Sequence, residues 1–90
     1  MSRRVRIDEV LVFLGVRERS FLEQLRAVGL FEEDELEPDD AEELRLARVL
    51  MHELDVNAAG VDVALHLRRR LLALERRTRA LAEALERGER

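Results

Sequence analysis

The last third of the chain is the feature that most constrains its fold, because nothing in residues 58–87 would interrupt a helix. The segment has no proline, and its one glycine, Gly60, falls in the first turn. Asn57 is a good N-cap for such a helix. About thirty residues at about 1.5 Å each predict a rod of roughly 45 Å.

Small and apolar residues recur along this helix at alternating spacings of four and three, the pattern of a coiled coil. The positions are Gly60, Ala64, Leu67, Leu71, Leu74, Thr78, Leu81, Leu85 and Gly88. A helix this long cannot bury its far half against the rest of so short a chain. We therefore predict a homodimer. Its dimerisation residues would be Leu67, Leu71, Leu74, Leu81 and Leu85. The alternative is a solvated C-terminal tail that frays.

The first two thirds of the chain predict three shorter helices. The first carries one apolar face and ends at Gly15, and the second carries another and ends at Gly29. The two faces are Ile7, Val10, Leu11 and Leu14, then Phe21, Leu22, Leu25 and Val28. Residues 15–18 form a tight turn of the helix-turn-helix kind.

Residues 32–38 are too polar for a core strand and too short for a helix, and we interpret them as a loop or a minimal β-hairpin wing. A third helix is expected to begin at an Asp39 or Asp40 cap. Its buried residues would be Leu44, Ala47, Leu50, Met51 and Leu54. The predicted fold is therefore all-α, with a helix-turn-helix domain in residues 1–56 and a long dimerisation helix in residues 57–90.

Charge is concentrated in the centre of the chain. The net charge is only −4, yet residues 30–55 hold eleven acidic side chains and two arginines, and both flanking blocks are net positive. The run from Glu32 to Glu37 lacks the Asp-x-Asp-x-Asp-Gly pattern and the glycine of a calcium loop. It is therefore either a solvated loop or an acidic docking surface for a basic partner.

The residue types do not favour catalysis, so we predict no enzyme, no cofactor and no metal site. His52 and His66 lack the usual zinc spacings, and Ser2 and Ser20 lie in no nucleophile motif. The absence of cysteine fits a reducing interior. No apolar run reaches the roughly 18 residues of a membrane span. We expect a cytoplasmic protein with no membrane partner.

The helix-turn-helix raises the possibility of DNA binding. Arg17, Arg19 and Arg26 could face a major groove, with Arg3, Arg4 and Arg6 on the backbone. The wing position, however, carries acids where phosphate contacts need positive charge. We therefore predict no nucleic-acid partner.

Two stretches resemble known families. Ile7-Asp8-Glu9-Val10, Gly15-Val16 and the spacing of Leu22, Leu25 and Val28-Gly29-Leu30 resemble MerR-like winged helix-turn-helix domains. Residues 44–67, above all His52 to Leu67, are similar to the chaperone-modulator CbpM family, whose members also continue into a leucine-rich helix. The resemblance implies a dimer that binds the J domain of a DnaJ-type co-chaperone and blocks its stimulation of Hsp70.

J domains present a basic helix face, which the acidic centre could bind by charge complementarity. From charge alone, the partner-binding residues would be Glu32, Glu33, Asp34, Glu35, Asp39, Asp40 and Glu43, with Phe31 or Leu36 as an apolar anchor. Two alternatives stay open: a MerR-like transcription regulator that binds DNA, and an assembly factor for an Hsp70–J protein complex.

Overall fold

A computed structural model describes residues 3–88, and the fold is mainly helical, as predicted. The helices are α1 Ile7–Phe13, α2 Arg19–Ala27, α3 Pro38–Arg48 and α4 Ala58–Glu86, and two short strands are β1 Val5–Arg6 and β2 Glu35–Leu36. Ser2 and the outer ends of the two predicted domains lie outside the described residues.

Helices α1 and α2 form where the apolar spacing predicts them. Both are followed by a glycine with positive φ, +75° at Gly15 and +86° at Gly29. At the second of these turns, the Leu30 N–H donates to the Leu25 carbonyl at 3.0 Å, which closes the end of α2. Ile7, Phe21 and Leu25 are fully buried and form the centre of the core.

The predicted wing is only partly correct. Residues 35–36 are a strand, but β2 does not fold back into a hairpin of its own. It pairs antiparallel with β1, which lies about thirty residues earlier in the sequence, with Val5 opposite Leu36 and Arg6 opposite Glu35. The pairing turns Leu36 into the core.

The N-cap of helix α3 lies two to three residues earlier than predicted. Pro38 is the first residue of the helix, and Glu37, not Asp39 or Asp40, is the N-cap. Proline is favoured at this position because its missing N–H would have no partner there. The Asp40 carboxylate accepts a hydrogen bond from the Glu37 N–H at 3.4 Å.

The predicted buried face of α3 is correct at Leu44 and Ala47 but wrong at Leu54, which is 63% exposed. The reason is a turn of π-helix at Val49–Glu53, directly after α3. A π turn inserts an extra residue and so rotates the residues after it off the helical face. Leu50 and Met51, inside this turn, are half-buried.

Helix α4 begins at the predicted cap, where Asn57 Oδ1 accepts from the Gly60 N–H at 2.8 Å. Gly60 is needed for space, since a Cβ there would lie 2.6 Å from a Val56 methyl carbon. Only Val61 and Leu65 of α4 are fully buried. The radius of gyration is 16.4 Å, against about 12 Å for a compact chain of this length. The second half of α4 therefore projects from the domain. None of the helices in residues 3–88 could cross a membrane.

Candidate interaction surfaces

The leucine stripe of α4, defined as Leu67, Leu71, Leu74, Leu81 and Leu85, is open to solvent in the single chain. Each of these side chains is 57–67% exposed. A row of exposed apolar side chains on one helix face is a candidate interaction site. The five predicted dimerisation residues therefore lie together on one accessible face.

The stripe points away from the domain. Successive residues of an α-helix are about 100° apart, so the five leucines fall within an arc of about 80°. Val61 and Leu65, which pack into the core, lie about 140° around the helix from the centre of that arc. Helix α4 thus has two separate apolar faces, and the fold of one chain covers only one of them.

The second surface is the acidic segment, residues 31–40, and one arginine fixes its path. Arg26 Nε donates to the Phe31 carbonyl at 2.8 Å, and its Nη2 lies 3.3 Å from the Glu33 carbonyl and 3.2 Å from Asp34 Oδ1. The Ile7 N–H donates to the Asp34 carbonyl at 2.8 Å. The segment is therefore attached to both α1 and α2.

Part of the acidic segment is free to meet a partner. Glu32, Glu33, Glu35 and Asp39 are exposed, and none of them forms an ion pair with another residue among 3–88. Asp34 is also exposed, but its carboxylate is paired with Arg26. Because the segment is held by its backbone, its free carboxylates are presented without much loss of chain entropy on binding.

Two of the predicted binding residues are wrong for a surface role. Leu36 is only 3% exposed and belongs to the core, because β2 pairs with β1. Glu43 is 4% exposed and faces α4. Its carboxylate receives hydrogen bonds from Arg69 at 2.6 and 2.9 Å and lies 3.5 Å from Arg68. Neither side chain is available to a partner.

Two further predicted residues are only partly accessible. Phe31 is half-buried against the core, and its φ of +52° lies in a region that bulky residues rarely adopt. Asp40 is half-buried at the start of α3. The best-supported acidic surface is therefore smaller than charge alone predicted.

The Glu43–Arg69 pair joins α3 to α4 through two hydrogen bonds. The hydrogen bonds that Arg69 donates to Glu43 raise the pKa of Arg69. A cleft of about 310 Å³ beside the pair is lined by Asp39, Asp40, Glu43, Arg68, Arg69, Leu72 and Arg76. A second ion pair lies nearby on α3 and is partly exposed. Arg45 donates hydrogen bonds to Glu42, which lower the pKa of that carboxyl.

A third feature, an apolar groove between α1 and α3, was not predicted from the sequence. The groove has a volume of about 420 Å³, and Val5, Val10 and Pro38 contribute to its lining. Phe13 lies at the edge of the groove and is 89% exposed. Pro38 also belongs to the acidic segment, so the groove adjoins it. Phe13 lies off the apolar face of α1, and that off-phase position is the one signal that could have revealed it.

The three arginines considered for a major-groove contact differ in their accessibility. Arg26 is engaged with the acidic segment, while Arg17 and Arg19 are exposed.

The histidines and carboxylates form no metal site in the described residues. His52 packs against the Phe21 ring, with centroids 5.3 Å apart. In the described part of the chain, no three His, Asp or Glu side chains are grouped to hold a metal ion.

Comparison with known proteins adds no relative: no family model, no curated protein and no solved structure matches the chain. A functional proposal therefore depends on the two surfaces and on the resemblance carried by residues 44–67.

Proposed function

We propose that this chain is a homodimeric chaperone modulator that binds the J domain of a DnaJ-type co-chaperone and inhibits its stimulation of Hsp70. The observation that carries the proposal is the group of free carboxylates on the tethered acidic segment. They are Glu32, Glu33, Glu35 and Asp39.

Charge complementarity is the basis of recognition in this proposal. Opposite charges across an interface accelerate encounter and select the partner more than they add affinity. A basic helix face, which the resemblance assigns to J domains, is the matching surface. Occupying that face would prevent it from reaching the acidic surface of Hsp70.

The apolar anchor of the interface is Phe13. The predicted anchors, Phe31 and Leu36, point into or against the core. Phe13 is instead exposed at a groove that adjoins the acidic segment through Pro38. Exposed aromatic side chains beside a groove are typical binding hot spots.

The leucine stripe supplies the dimer. Its face is opposite the one that packs on the domain, so pairing two α4 helices leaves both acidic segments accessible. Each dimer would then carry two binding surfaces, which raises apparent affinity where a partner presents two J domains.

Affinity for a purified J domain, measured by calorimetry at 50 and 300 mM salt, tests the proposal. The variant is Glu32→Arg with Glu33→Arg and Glu35→Arg. We expect about 30-fold weaker binding at 50 mM salt and a much smaller difference at 300 mM, because salt screens exposed charges.

The matched control carries the same change of charge elsewhere, as Glu23→Arg with Glu83→Arg and Glu86→Arg. All three positions are exposed and lie outside the acidic segment. We expect the control to bind within about threefold of the native chain. Unchanged affinity in the first variant, or equal losses in both, would refute the proposed site.

A further inference from the structure

The cleft beside the Glu43–Arg69 pair has two walls of opposite charge. Its lining consists of three carboxylates from the first half of α3, three arginines from the middle of α4, and one leucine. They are Asp39, Asp40, Glu43, Arg68, Arg69, Arg76 and Leu72. The charges of the cleft sum to zero, but the negative and positive groups lie on different helices.

Most of these charges already have partners within the chain. Glu43 receives two hydrogen bonds from Arg69 and lies 3.5 Å from Arg68. The Asp40 carboxylate accepts a hydrogen bond from the Glu37 N–H at 3.4 Å. These contacts account for four of the six charged side chains that line the cleft.

The other two charged side chains, Asp39 and Arg76, are exposed and lie on opposite walls. Neither forms an ion pair, with the other or with any further residue that the structure describes. Arg76 also has no acidic residue three or four positions away on α4, where an ion pair along the helix would need one. Each charge is therefore available to a group of opposite charge on a partner.

Arg76 lies on the side of α4 that faces the domain. It follows the buried Leu65 by eleven positions, which brings it back to within about 20° of the same side of the helix. It follows Leu67 by nine positions, so it lies about 180° around the helix from the centre of the leucine stripe. Covering the stripe in the proposed dimer therefore leaves Arg76 accessible.

The cleft adjoins the surfaces assigned to the J domain. Asp39 belongs to the acidic segment and lines the cleft, while its neighbour Pro38 lines the apolar groove that holds Phe13 at its edge. Cleft and groove thus lie on either side of the start of α3. A helix with its side chains is about 10–12 Å wide, so a partner helix that lies across the start of α3 can reach both.

From the free charges on the two walls, we infer that the binding surface extends across the cleft onto α4, where Arg76 binds a carboxylate that the partner carries beside its basic face. The inference rests on the proposed function and adds a feature of the partner: its basic helix has an acidic side chain next to it. Two signs of charge in a fixed order select one orientation of the bound helix, because the reversed helix would place like charges together.

The sign of a charge substitution tests the inference. Arg76→Glu makes the chain more negative, and without a local contact this change should tighten the binding of a basic partner. If Arg76 binds a carboxylate, the same substitution replaces an attraction with a repulsion. We expect about tenfold weaker binding of the J domain in calorimetry at 50 mM salt, and a smaller loss at 300 mM.

The matched control is Arg79→Glu, which makes the same change of charge at an exposed position one turn further along α4, outside the lining of the cleft. It should bind as the native chain does or up to about threefold more tightly. Native or tighter binding by Arg76→Glu would overturn the inference and leave the proposed function intact. Failure of the native chain to bind the J domain would overturn both.

Reversing acidic residues of the J domain one at a time to arginine identifies the carboxylate. One such variant should bind the native chain about tenfold more weakly and should recover to within about threefold of native affinity with Arg76→Glu, because the pair of opposite charges is restored with its signs exchanged. Arg79→Glu should not restore it. If no acidic position of the J domain shows this recovery, the partner has no carboxylate at Arg76 and the inference is wrong.

Discussion

The leucine stripe and the acidic segment are both exposed surfaces, but they are maintained in different ways. The stripe is a property of one helix and needs only a constant spacing along α4. Half of the acidic segment lies outside helices and strands, and its path depends on contacts with Arg26 and Ile7 from elsewhere in the chain. One surface is therefore robust to distant substitutions, and the other is sensitive to them.

The largest expected effect comes from breaking the stripe alone. Leu74→Asp with Leu81→Asp places charges in the interior of the helix pair, where burial without a partner is very unfavourable. We expect dimerisation to weaken by about 1,000-fold or more, measured by sedimentation equilibrium. Because both side chains are exposed in the single chain, J-domain binding per monomer should be preserved.

A suitable control for this variant is Val12→Asp, which also adds a carboxylate at an exposed apolar position but on α1. It should remain dimeric. If the stripe variant kept the native dissociation constant, the leucines would not be the dimer interface.

The second largest expected effect is a loss of stability when the buried carboxylate of Glu43 is removed. Glu43→Ala leaves Arg68 and Arg69 without their carboxylate and opens space beneath α4. We expect a loss of about 2 kcal/mol in the free energy of unfolding, less than for a fully buried pair because Arg69 is half-exposed. Urea denaturation at fixed chain concentration measures it.

The control for Glu43 is the neighbouring exposed carboxylate, Glu42→Ala, which should leave the urea midpoint almost unchanged. The salt dependence of J-domain binding should be native in Glu43→Ala, because this buried carboxylate lies outside the proposed surface. A large change of that dependence in Glu43→Ala would return Glu43 to the binding site.

The third effect concerns the apolar anchor. Phe13→Ala should weaken J-domain binding about tenfold, in the range of a binding hot spot, with little change in stability because the ring is exposed in the free chain. Calorimetry and a thermal unfolding curve on the same sample measure the two properties. A loss of stability that equals the loss of affinity would mean that Phe13 acts on the fold.

The smallest effect tests how the acidic segment is held. Arg26→Ala removes the hydrogen bonds to Phe31 and Glu33 and the pair with Asp34. We expect faster amide hydrogen exchange in residues 31–35 and about threefold weaker J-domain binding, since a looser segment loses more entropy on binding. Arg19→Ala, at an exposed site on α2, should change neither. Unaltered exchange in Arg26→Ala would show that the segment does not depend on this side chain.

The same contrast explains which features could be predicted from sequence. The cap at Asn57, the turn at Gly29 and the extent of α4 follow from residues within a few positions of each other, and they were predicted correctly. The exposed stripe also follows from local spacing. Its pairing with a second copy stays a prediction.

Features that depend on distant residues were missed. Leu36 lies within an acidic run of the sequence, so it was predicted to be at the surface. It is buried because β2 pairs with β1, about thirty positions earlier. Glu43 is buried because Arg69 reaches it from 26 positions later. The π turn after α3 has no sequence signature of its own, and Leu54, which directly follows it, is exposed. Charge counting located the acidic segment but could not tell a free carboxylate from a paired one.

The most direct measurement of the central claim is the ATPase rate of Hsp70, stimulated by the J protein and titrated with this chain. The account predicts that the stimulated rate falls to the basal rate as the chain saturates the J domain, and that the variant with Glu32, Glu33 and Glu35 changed to Arg requires at least tenfold more protein at low salt. An unchanged rate at saturating concentration, or an increase in rate as expected for an assembly factor, would contradict it.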